Sequence, residues 1–189
     1  MTKKEFFRIR LSSTGFATIA IGALLAWNHF NGGVPSHHML ADESLPLISN
    51  WWGGVLIPIL TWFLMGRIQK RIIRSGNSIT SHTFKQAIYG FFGALSFGII
   101  LAVFFSFGNT DVPGYMILGL LPLAFFFPIY RAECLLGFVF GMTYTFGAVL
   151  PTGIGSILAL IGVAIFLLVR PGIIYVVSKL KPVVATLKK

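Results

Sequence analysis

The stretch from Lys85 to Arg131 reads KQAIYGFFGALSFGIILAVFFSFGNTDVPGYMILGLLPLAFFFPIYR, with no basic residue between its two ends. A helix that crosses a bilayer needs about 20 apolar residues. This stretch holds two such runs, about 84–107 and 112–130. They are separated by Gly108-Asn109-Thr110-Asp111, a combination that favours a tight turn. The basic residues mark where the chain returns to the same side. Lys and Arg are retained on the cytoplasmic side of a membrane, and one at a helix centre costs about 2.5–3.5 kcal/mol on insertion scales.

The pattern extends outward in both directions. All 15 Lys and Arg residues fall in four clusters: Lys3, Lys4, Arg8, Arg10; then Arg67, Lys70, Arg71, Arg74, Lys85; then Arg131; then Arg170, Lys179, Lys181, Lys188, Lys189. The gap from Arg10 to Arg67 accommodates apolar helices at about 14–30 and 51–68, with an outer loop at 31–50. The gap from Arg131 to Arg170 accommodates helices at about 132–150 and 152–170. The sequence therefore predicts an all-α polytopic membrane protein. Six transmembrane helices form three helical hairpins in one membrane domain, with both termini cytoplasmic. Pro171-Gly172 is expected to end the last helix. Residues 171–189 then lie along the inner interface, their lysines snorkelling towards headgroups.

Composition agrees. Of the 189 residues 56% are hydrophobic and 11% charged, and the mean hydropathy is +0.84. Soluble domains carry about 25% charged residues, so lipid is the expected solvent. The net charge of +10 does not point to nucleic acid, because the basic residues stand where apolar runs end and no polar domain presents a groove. It points to a multi-pass protein of the plasma (inner) membrane whose cytoplasmic face meets anionic lipid headgroups. The first apolar run closes on Ala26-Trp27-Asn28-His29-Phe30, without a small-x-small cleavage pattern, and reads as an uncleaved crossing. A single cysteine, Cys134, excludes an intrachain disulfide and a multi-cysteine metal site.

Two places carry candidate chemistry. The first is the outer loop. Ser36 is a candidate N-cap and Pro46 a stop, which predicts one or two helical turns from His37 to Leu45. On such a helix His38 and Asp42 are i,i+4 neighbours. With His37, Glu43 and His29, they form a candidate set of ligands for a divalent metal such as zinc. Glu43 is the candidate general base of a metal-dependent membrane enzyme. The same residues also read as an interfacial helix, or as protonatable groups at the mouth of a transport path. Trp51 and Trp52 follow as belt residues and Asn50 as a cap of the second helix; the three are also candidate substrate-binding or gating residues, the tryptophans lining a site under the loop.

The second place is Tyr130-Arg131-Ala132-Glu133-Cys134 on the inner face. Glu133 in the first turn of a helix is favoured by the helix dipole. Arg131 and Glu133 are candidates for an ion pair at an inner gate. Two residues apart they do not share a helix face, so pairing with another helix is the expected arrangement.

The central turns of the last four helices carry no acidic or basic residue, which argues against an ion-coupled transporter. Pro58 and Pro122 are sites of a kink or a break. Gly137-x-x-x-Gly141 and Gly90-x-x-Gly93 mark close helix approach. The leading functional reading is transport or permeation of a small solute or lipid-like molecule. The metal enzyme is one alternative, and a non-catalytic accessory subunit of a larger membrane complex is the other. A pore from so few helices would be helped by homo-oligomerisation. The sequence identifies no catalytic residue.

Overall fold

The computed structural model of the protein describes residues 3–38, 46–74, 81–109 and 111–187. The elements in order are α1 (Lys3–Phe30), β1 (Ser36–His38), β2 (Leu47–Ser49), a 3-10 turn (Asn50–Trp52), α2 (Gly53–Arg74), α3 (Ser81–Ser106), α4 (Asp111–Phe126), α5 (Ala132–Phe146), α6 (Val149–Ala164), a π-helical segment (Ile165–Val169) and α7 (Arg170–Leu187). Because α6, the π segment and α7 run on without interruption, the described residues make six helical rods.

Four of these rods are long and apolar enough to cross a membrane: 4–30, 50–73, 82–106 and 149–179. The other two, α4 and α5, have 16 and 15 residues. At 1.5 Å per residue they reach about 24 Å, short of a hydrocarbon core of about 30 Å. The expectation of six transmembrane helices in three equivalent hairpins is therefore corrected. The reason is local. Pro128 excludes helical geometry for the residue before it, and α4 ends at Phe126. Gly147 adopts φ 70° and ψ −172°, a region open almost only to glycine, and α5 ends one residue earlier. The next helix starts at once, at Val149, with Pro151 in its first turn, where no N–H is required.

The last helix also departs from expectation. Pro171 does not end it. The chain widens into a π turn just before the proline, and the Arg170 N–H donates to the Ile165 carbonyl instead of one residue closer. Pro171 then stands directly after this π turn, inside the continuous rod. Pro58 and Pro122 likewise remain inside continuous helices.

Helix α5 is the centre of the bundle, packing on α2, α3 and α6, most extensively on α3. Seven of its residues are buried, including Glu133, Gly137, Phe138, Val139 and Gly141. Its glycines let the backbones meet. A Cβ at Gly137 would fall on the Phe91 carbonyl oxygen, one at Gly141 on the Leu95 carbonyl oxygen, and one at Gly98 of α3 within 2.8 Å of the Phe138 oxygen. Around this centre the surface is greasy. Phe16 is 75% exposed, Ile19 73% and Leu168 72%. Exposed apolar area of this extent is what lipid contact requires.

The bundle has a basic end and an opposite end. At the basic end Arg10 of α1 lies on α2: its Nε donates to the Trp62 carbonyl at 3.0 Å, and its guanidinium carbon stands 3.7 Å above the Trp62 ring. Arg67 covers Phe63, Arg170 covers Phe166 and Lys179 covers Tyr175, each from one turn further along its own helix. Such cation–π pairs hold a cation at the boundary between greasy and wet surroundings.

Candidate functional site

At the basic end α2 and α5 meet through an ion pair. On α2 the residues Ile57, Thr61, Leu64, Ile68 and Ile72 are buried at helical spacing. Arg71 falls beside this stripe, three residues after Ile68. Across from it Glu133, in the first turn of α5, is 1% exposed. Arg71 Nη1 donates to Glu133 Oε1 at 2.7 Å and to Oε2 at 3.0 Å. The Arg71 side chain keeps 30% exposure, against 2% for that of Glu133. The other two guanidinium nitrogens, Nε and Nη2, are buried, and neither has a hydrogen-bond partner among the described residues.

The Glu133 side chain also forms part of the wall of a cavity of about 670 Å³ between α1, α2, α3 and α5. Its remaining walls are mostly aromatic and aliphatic, among them Phe16, Ile68, Phe91 and Phe140. Ser12 and Ser13 of α1 and Thr61 of α2 supply its few hydroxyls. The Thr61 hydroxyl is already committed, donating to the Ile57 carbonyl at 2.7 Å. Along α1 the cavity runs from Phe6 to Phe16, about 15 Å at helical rise.

On the other side of the α3–α5 crossing lies a smaller cavity of about 300 Å³, bounded by α3, α4, α5 and α6 and lined by apolar groups together with Tyr89 and Cys134. Gly90 of α3 marks the crossing. A Cβ there would stand 3.0 Å from Glu133 Cγ and 3.3 Å from Cys134 Sγ.

The candidate residues of the sequence do not converge on one place. Glu133 does pair with another helix, through Arg71. Arg131 instead takes the N-cap position of α5, without a side-chain capping bond. The outer-loop residues stand at the opposite end. His37 and His38 lie on a strand, paired with Ile48 and Leu47, so the helical turn expected from His37 to Leu45 does not start there, and residues 39–45 lie outside the described residues. Pro35 holds the chain extended, and antiparallel pairing satisfies the backbone groups that a helix would have used. Asp42 and Glu43 lie outside the described residues. Among the described residues no group of three His, Cys, Asp or Glu side chains is placed to hold a metal ion.

His29 is exposed, with its ring edge-on to Phe30 and Trp51 at 5.3 and 6.0 Å. Trp51 and Trp52 are 54% and 64% exposed and line neither cavity. Asn50 does not cap α2 but opens the 3-10 turn before it, and the cap of that turn is Ser49, whose hydroxyl accepts from the Trp51 N–H. The Asn50 N–H donates to the Pro35 carbonyl at 3.1 Å, and its side-chain amide sits directly over Gly147. It thereby ties the outer loop to the α5–α6 turn. Gly147→Ala is expected to cost about 2 kcal/mol from backbone strain alone, read as a lowered melting temperature of the purified protein. Removing the amide as well, in Gly147→Ala/Asn50→Ala, should recover the steric part of the loss and leave the strain.

No family model, curated protein or solved structure matches this chain. The functional reading therefore stands on the bundle itself. Arg71 is the residue that the charge pattern concealed, since it reads there as one more cytoplasmic cation. The available signal was its place beside the buried stripe, seven residues after Leu64, whereas Arg67 and Lys70 are exposed.

Proposed function

We propose that the protein is a small membrane protein that binds a lipid-like molecule between α1, α2, α3 and α5 and serves its transport or permeation. The observation that carries this reading is the cavity of about 670 Å³. Its size falls in the range of about 300–1,000 Å³ usual for ligand sites. Its walls suit an apolar body, and their one charged group, the Glu133 carboxylate, stands at one end. A small polar solute would find few partners along those walls. A coupling ion would find no acidic or basic residue in the middle of α3, α4, α5 or α6.

The arrangement of cations supports an orientation with the basic end in the cytosol of a plasma (inner) membrane, against anionic headgroups. A reporter fused after Lys189 tests this, and its activity on the outer side would reverse the orientation.

Ser13→Phe tests the cavity. Ser13 is half-buried in its wall, and a ring there takes up the space a ligand would occupy. In proteoliposomes, transfer of a fluorescent single-chain lipid between leaflets is expected to run well above that of protein-free vesicles and to fall at least tenfold in the variant. Equal transfer by wild type and variant would sink the reading.

A further inference from the structure

We infer that the larger cavity is one station of a track along α1, that a second cavity is the next station, and that the rings of Phe16 and Phe140 partition the two. This rests on the larger cavity being a lipid-binding site and adds the route by which a single acyl chain leaves it.

The second cavity, of about 210 Å³, lies between α1, α2 and α5. Among the described residues only Phe16 and Phe140 line both hollows. Each helix that borders both carries the walls onward in the same direction, away from the basic end. Along α1 they run from Phe6 to Phe16, then from Phe16 to Leu24. Along α5 they run from Glu133 to Phe140, then to Tyr144. Helix α2 is traversed backwards, from Ile68 to Thr61 and then to Ile57. The hollows therefore lie end to end. From Phe6 to Leu24 the helical rise is about 27 Å, close to a hydrocarbon core of about 30 Å.

The track is open along one side. Ala17, Ile57 and Thr61 on its floor are buried, whereas Ile9, Phe16, Phe92 and Tyr144 on its rim are exposed. An acyl chain can enter it sideways from the surrounding lipid. The second station suits the same apolar body as the first, since its Thr143 hydroxyl is already committed, donating to the Val139 carbonyl at 2.6 Å.

The two halves of the partition differ in freedom. Phe140 is half-buried, and its ring stands edge-on to Phe91 at 6.1 Å. Phe16 is exposed, and exposed side chains change rotamer within picoseconds to nanoseconds. Phe16 is thus the member that swings aside, and passage between the stations requires no movement of a helix.

The full chain is tested with one probe, a pyrene-labelled lysophosphatidylcholine, for binding in detergent micelles and for transfer between leaflets of phosphatidylcholine proteoliposomes. Ala20 lines the second cavity alone and is exposed, so Ala20→Phe fills that station with a ring the fold tolerates. Binding is expected to stay within about twofold of wild type while transfer falls about tenfold. Ser13→Phe, which fills the first station, should lose both. Phe16→Ala removes the partition and should raise transfer about threefold with binding unchanged. Ile19 is exposed and lines neither station, so Ile19→Phe should alter neither readout.

Wild-type transfer in Ala20→Phe, with transfer lost in Ser13→Phe, overturns the track and leaves the larger cavity standing as a binding site. Unchanged or slower transfer in Phe16→Ala overturns the partition. A dimer in detergent that Ala20→Phe converts to monomer shows a second copy seated on the groove and overturns the track as well. Wild-type binding and transfer in both Ser13→Phe and Ala20→Phe overturns the cavity reading itself.

Discussion

Gly137→Leu is expected to prevent assembly of the bundle, and Gly137→Ala to destabilise it by about 3 kcal/mol, the upper end of what overpacking usually costs. The added Cβ would fall on the Phe91 carbonyl oxygen and within 3.0 Å of the Leu95 nitrogen. Both are main-chain atoms of α3, so no side-chain rotation relieves the clash. The helices must part, and α5 is packed on α2 and α6 as well. Gly141→Ala should behave alike, since its Cβ would meet the Leu95 oxygen and stand 2.9 Å from the Ile99 nitrogen. Gly93→Ala and Gly119→Ala are the controls. Nothing lies within 4 Å of a Cβ at either place, and exchanging a mid-helix glycine for alanine there is expected to be neutral or to stabilise by up to about 1 kcal/mol. Thermal unfolding of the four variants in detergent, followed by circular dichroism, separates the two groups. Similar melting temperatures for all four would mean that the α3–α5 contact is looser than the geometry requires.

Arg71→Ala should cost about 3–5 kcal/mol, because it leaves a carboxylate buried without a counter-charge. Glu133 is 1% exposed. Glu133→Ala should cost less. The Arg71 side chain is 30% exposed and long enough to turn its charge outward. The double variant Arg71→Leu/Glu133→Leu is expected to recover most of the loss, since a packed apolar pair often replaces a buried ion pair at little cost. Chemical denaturation of the three variants tests the order. A double variant as unstable as Arg71→Ala would show that the loss comes from packing rather than from the unpaired charge.

Much of the architecture was legible before any coordinates. The apolar runs and the spacing of cations identify a helical protein built for lipid, and the runs near Thr14–Phe30, Trp51–Ile68 and Phe84–Phe107 correspond to α1, α2 and α3. The close-approach reading of Gly137 and Gly141 was legible too, because only a residue without a side chain lets main chains touch. What misled was length. An apolar run of about 20 residues registers as one crossing whether it faces lipid or sits inside a bundle. The α4 and α5 runs were divided by turn chemistry at Pro128 and Gly147 that hydropathy does not register. The π turn before Pro171 is equally invisible, since it depends on where the widened helix finds its hydrogen bonds.

The site was legible only in halves. Glu133 stands out as a lone acid after a long apolar run, and its need for a partner on another helix follows from its spacing to Arg131. Which cation answers it cannot be read along the chain, because Arg71 is 62 residues away and competes with fourteen other cations. His37 and His38 drew attention by residue type, yet local pairing with Leu47 and Ile48 turned their segment into a strand.

The amino-acid order alone determined the solvent of this protein, the helical class and the crowding of cations towards helix ends, because transfer of side chains between water and lipid is a local, additive matter. Tertiary structure alone decided that α5 is enclosed by its neighbours and that Arg71 meets Glu133 beside an apolar hollow. Those outcomes depend on which surfaces come together in three dimensions, and contact between distant segments leaves no periodic trace in either one.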